Sequence, residues 1–133
     1  MLASLQSQPM SIQVKLDEGL CRAWVTVLPE PQTSTVAETV LQLTDQRPVL
    51  GSWDWIIDIR NPHAQATPEE IESISAAFNA VTSQQSYTIF ISHDPATYDR
   101  CALMARTFLR RRHLVARSVA EAKALLPMSV HRI

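Results

Sequence analysis

The sequence predicts one α/β domain: a mixed central sheet of about five strands, in the order ββαβαβαβα, with helices packed on it and no second domain. Three observations predict it. Ser52 to Arg60, SWDWIIDIR, places Trp53, Trp55, Ile57 and Ile59 on one face of an extended strand and Asp54, Ile56 and Asp58 on the other, because successive strand side chains alternate. Helix-start chemistry recurs between β-rich runs, at Thr35, Thr67, Asp94 and Ser118. That alternation of strand and helix demands parallel strands joined by right-handed crossovers.

Taken in order, residues 1–10 read as a loose leader, residues 11–127 as the domain and residues 128–133 as a tail. Ile12, Val14 and Leu16 alternate with polar residues, and a second run follows from Leu20 to Leu28 after Asp17-Glu18-Gly19. A hairpin with its turn at Gly19 is expected, and Pro29 and Pro31 end its second arm. From Thr33 to Asp45 the residues Val36, Ala37, Val40, Leu41 and Leu43 recur at helical spacing, with Thr35 and Glu38 as a capping box. Arg47-Pro48 breaks this helix, and Gly51 is expected to turn the chain into the central strand.

Thr67-Pro68-Glu69-Glu70 opens the next helix: Thr67 caps, Pro68 loses nothing at the first position, and the acids complement the helix dipole. Ile71, Ile74, Phe78 and Val81 form its inward stripe. Tyr87 to Ser92, YTIFIS, has the composition of a strand buried on both faces. Asp94-Pro95 starts a third helix with Cys101, Met104, Ala105 and Phe108 inward, expected to end in Arg110-Arg111-Arg112. Leu114 to Ala116 give a last strand, and Ser118 with Glu121 caps a last helix whose Val119, Ala122, Leu125 and Leu126 face inward.

Composition bounds the function classes. The 133 residues are 46 % hydrophobic, enough for one real core. From Arg100 onward eight Lys or Arg stand against the single acid Glu121, while the first 99 residues carry four bases against twelve acids. Helix-dipole matching and solvation account for this basic segment, so nucleic acid is not expected as a partner. Cys21 and Cys101 have no CxxC spacing and read as small core residues in a reducing cytoplasm. No run reaches the roughly 18 to 20 apolar residues of a membrane span.

The loops after the central strand and after YTIFIS gather Asp58, Asn61, His63, Thr67, His93, Asp94, Thr97 and Tyr98. Two histidines with two carboxylates suit a divalent metal or acid–base chemistry. Thr67 and Asp94 are already used as caps, however, and no metal or cofactor is assigned. There is no GxSxG elbow, and with only two glycines no phosphate cradle. An acidic pair after the first strand and a late lysine, as in phosphorelay receivers, are lacking too.

The element order, with IIDIR before a loop and TPEEI opening a helix, resembles the STAS domain of bacterial anti-sigma-factor antagonists, closest to a divergent, uncharacterised branch, some of whose members are compared with lipid-binding Sec14-type domains. The resemblance covers roughly Ser11 to Leu126. It implies an Asp at the strand end and a phosphorylatable Ser or Thr about nine residues on, the places held by Asp58 and Thr67. The pattern departs around Thr67: Ala66 stands for the family's Asp, and Pro68, Glu69 and Glu70 for its small residues, with acids that repel an incoming phosphate.

The expected function is a non-enzymatic regulatory or binding module of this type, docking a protein partner through Asp58, Asn61, His63, Thr67, Glu69 and Glu70. A second copy of the chain is a candidate partner. The first alternative is a carrier or sensor of an apolar, lipid-like ligand in a pocket formed by Trp53, Trp55, Met104 and Phe108. The second is a small metal-dependent hydrolase or transferase.

Overall fold

The computed structural model describes residues 12–28, 35–60, 66–82 and 84–126. Strands β1 (Ile12–Asp17) and β2 (Arg22–Val27) pair antiparallel, from Ile12 opposite Val27 to Asp17 opposite Arg22. The left-handed residue in their connection is Cys21, at φ 54°, and Gly19 keeps an ordinary φ, which corrects the expected glycine turn. The loop is held instead by Asp17, whose Oδ1 accepts from the Leu20 N–H at 3.1 Å. The expected bounds Ser11, Pro29, Pro31, Thr33 and Pro127 lie outside the described residues.

Helix α1 (Val36–Gln46) starts in the expected box: Thr35 Oγ1 accepts from the Glu38 N–H, and Glu38 Oε1 from the Thr35 N–H, both at 3.0 Å. The central strand is shorter than expected. Pro48–Ser52 forms a 3-10 turn, with the Leu50 N–H on Arg47 O and the Trp53 N–H on Leu50 O. Strand β3 is therefore Asp54–Asp58. Gly51 does not turn the chain with a special backbone angle; it permits a close approach. A Cβ there would lie 2.8 Å from Val81 Cγ2 and 3.2 Å from Phe78 Cα.

Helix α2 (Pro68–Asn79), strand β4 (Ser86–Ile91), helix α3 (Ala96–Met104), strand β5 (Arg111–Ala116) and helix α4 (Val119–Leu125) complete the ββαβαβαβα order. Asp94 Oδ1 accepts from the Ala96 N–H at 3.0 Å, so it caps α3 from just outside. The expected long third helix stops at Met104. Asn79, at the end of α2, bridges the descending loop: its side-chain N–H donates to Thr107 O at 2.9 Å and its Oδ1 accepts from the Leu109 N–H at 2.8 Å. The arginine run is thus no helix end. Arg110 has φ 54°, and Arg111 and Arg112 begin β5. At α4 the cap is half the expected box, since Ser118 Oγ accepts from the Glu121 N–H but Glu121 Oε1 takes the Arg117 N–H.

The strands lie in the order β1-β2-β3-β4-β5, with β2 to β5 parallel. Each crossover adds a strand on the same side, so right-handed connections put α1, α2 and α3 on one face. That face holds Ala23, Val25, Trp53, Trp55 and Ile57 against Val40, Ile71, Phe78, Met104 and Phe108. The opposite face packs Ile56, Ile89, Ile91 and Ala116 against Ala122 and Leu126 of the α4 segment. The alternation expected of SWDWIIDIR is present, with both tryptophans on the three-helix side. Val119 and Leu125, expected inward, are exposed, because α4 is short and covers only part of its face.

Candidate functional site

At the carboxyl end of β3 the loop residues are committed locally. The Asp58 carboxylate takes the Arg60 guanidinium at 2.6 and 3.0 Å. Thr67 Oγ1 accepts from the Glu70 N–H at 3.1 Å, and Glu70 Oε1 accepts from the Thr67 N–H at 2.9 Å. Thr67 and Glu69 are exposed and Glu70 is half-buried. Asn61 and His63 lie outside the described residues. At the next junction Ser92 and Thr97 hydroxyls share a buried hydrogen bond of 2.8 Å, and His93 Nε2 lies 3.1 Å from Arg117 O. Among the described residues no three of His, Cys, Asp and Glu come close enough to hold a metal ion.

The larger opportunity lies underneath. Between the three-helix face of the sheet and α1 to α3 is a cavity of about 90 Å³, partly open to solvent. Trp55 and Ile57 of β3 and Phe90 of β4 form its floor, Ile71, Ile74 and Phe78 of α2 one wall, and Met104 with Phe108 another. Of the pocket expected from sequence, Trp55, Met104 and Phe108 line this volume. Trp53 does not; its ring packs in the same core beneath the Arg47 guanidinium at 5.0 Å, and Arg47 is ion-paired to Glu18 at 2.7 Å.

Among the described residues three polar side chains line the cavity: Thr88, Arg100 and His113. Sequence reasoning assigned none of them to the pocket. Arg100 projects from α3, its side chain 22 % exposed, with Nη2 buried and 3.9 Å from Asp94 Oδ2, too far for a hydrogen bond. His113 stands on β5, edge-on to Phe108 at 4.6 Å and stacked on Phe90 at 6.3 Å. Burial, helped by the positive charge of Arg111, pushes its pKa down to about 3, so the ring is neutral at physiological pH. Its buried Nδ1 has no hydrogen-bond partner among the described residues.

Arg111 shows how a neighbouring cation is spent on structure. It is 5 % exposed and donates to Tyr87 O, Thr88 Oγ1, Gly51 O and Trp53 O at 2.7 to 2.9 Å, with its guanidinium 4.7 Å over the Phe78 ring. The expectation that Arg110 to Arg112 merely match a helix dipole is corrected: strand alternation sends Arg111 into the core and leaves Arg112 exposed. The one sequence signal that could have found it is the period of two in RRHLVA.

Cys101 is buried, which pushes its thiol up to about 11. Among the described residues, no helix is long and apolar enough to cross a membrane. No family model, curated protein or solved structure significantly matches the chain.

Proposed function

We propose that this domain is a non-enzymatic binding module of the STAS type that senses or carries a small apolar ligand in the cavity between its sheet and its three same-side helices. The observation that carries the reading is the 90 Å³ volume itself, walled by Trp55, Phe78, Met104 and Phe108. Close-packed cores leave few voids larger than water, and ligand sites are concave, mostly apolar and marked by a few polar groups. The non-enzymatic part rests on the chemistry of the buried groups: a Cys101 thiol held protonated and a His113 ring held neutral are poor nucleophile and base.

The test uses xenon, an apolar probe that enters dry cavities. Side-chain methyl resonances of Ile71 and Met104 are expected to shift saturably under xenon pressure, and Ala37→Leu, which fills the same volume, is expected to abolish the shift. Unmoved methyls would sink the reading.

A second reading, docking of a protein partner through the exposed start of α2, draws support from one adjacency. Ala66, Ile71 and Ile74 line the cavity while Thr67 and Glu69 of the same segment face solvent. Ligand and partner would then act on opposite sides of one helix turn.

A further inference from the structure

We infer that the cavity's ligand is a short monocarboxylate, with an alkyl tail of about four carbons inside and its carboxylate on Arg100; this rests on the cavity reading above. Size comes first. An apolar cavity of about 150 Å³ accepts benzene, so the 90 Å³ here holds a shorter alkyl segment and leaves the bulk of a long acyl chain outside.

Charge comes next. Among the described residues Arg100 and His113 both line the volume and both present a buried nitrogen without a hydrogen-bond partner. Arg100 is the permanently charged one, and a guanidinium fork matches a carboxylate in geometry. The neutral His113 adds a hydrogen-bonding edge without a second charge. Arg111, close behind Phe78, already serves four acceptors and does not line the cavity. One lining cation with apolar walls suits a monoanion; a phosphate dianion would leave charge uncompensated.

Asp94 is the competing anion. Its Oδ1 is engaged by the Ala96 N–H and its Oδ2 stands 3.9 Å from Arg100 Nη2, so it balances the guanidinium at a distance without saturating it.

Calorimetric titration with pentanoate, 1-pentanol and pentylamine, which share a tail, separates head from body. Wild-type protein is expected to bind pentanoate at least tenfold tighter than 1-pentanol, and pentylamine most weakly. Arg100→Gln should bring pentanoate down to the level of 1-pentanol while leaving 1-pentanol unchanged, and Asp94→Asn should tighten pentanoate alone. Decanoate should bind no tighter than pentanoate. Equal binding of acid and alcohol, or an acid preference that survives Arg100→Gln, overturns the carboxylate head; affinity that keeps rising to decanoate overturns the short tail. Failure of pentanoate to bind while xenon still enters overturns this inference alone, whereas exclusion of xenon overturns the cavity reading with it.

Discussion

The two faces of this sheet are packed by different rules. Under α4 the sheet is packed tightly by small and branched residues, with Ile89, Ile91, Ala116 and Ala122 all fully buried. The three-helix face has the larger side chains yet leaves about 90 Å³ unfilled, and it holds Thr88, Arg100, Arg111 and His113 as well. Voids and buried polar groups each cost stability. The difference therefore locates where the fold carries a burden that packing alone does not require, and the patch under α4 serves as the internal control.

The largest expected effect tests whether buried polarity on the three-helix face is structural. Arg111→Met deprives four acceptors of their donor and should cost on the order of 4 kcal/mol in urea unfolding. A loss under about 1 kcal/mol would show those carbonyls to be satisfied otherwise.

Next comes pH. His113 has a folded pKa of about 3, below the value of the unfolded chain. The unfolded state thus binds the proton first. Stability is fully present above about pH 6.5 and falls as pH drops toward 3, with a slope approaching about 1.4 kcal/mol per pH unit. His113→Phe should flatten that limb of the stability curve, and an unchanged limb would assign it to the carboxylates.

The comparison itself is sharpened by one enlargement made on both sides. Ala122→Leu, into the tight patch under α4, should destabilise by about 1–3 kcal/mol. Ala37→Leu, into the cavity wall, should be neutral or stabilise by about 1 kcal/mol. Equal penalties would mean that the two faces are packed alike. The smallest effect is Thr67→Ala, expected to cost about 1 kcal/mol through the lost cap, with Thr67→Ser nearly silent.

What was legible in the sequence is what is encoded locally. Thr35 with Glu38 and Thr67 with Glu70 announce their boxes within four residues, and SWDWIIDIR announces its two faces by a period of two. Arg111 was not legible, because its acceptors sit at Gly51, Trp53, Tyr87 and Thr88, positions set only once the sheet is assembled. Gly51 was misread for the same reason: its need for no side chain comes from Phe78 and Val81, not from its own turn. The third helix was read too long because the segment beyond Met104 is held by another element, with Asn79 of α2 bound to Thr107 O and the Leu109 N–H. The cavity was legible only as an alternative, since Trp55, Met104 and Phe108 would read identically as filled core, and its polar lining of Thr88 on β4, Arg100 on α3 and His113 on β5 is brought together only by the assembled sheet.

The three tryptophans give the molecule its own optical address system. Trp55 is fully buried at the cavity floor, with its indole N–H on Leu50 O at 2.8 Å. Trp53 lies under Arg47 outside the cavity, and Trp24 sits on the opposite face, with the Lys123 ammonium 5.8 Å from its ring. Among these indoles, therefore, only that of Trp55 is in direct reach of a cavity occupant. If the cavity takes up the proposed ligand, the emission colour of Trp55 is expected to shift, while the other two supply a constant background against which that change is read.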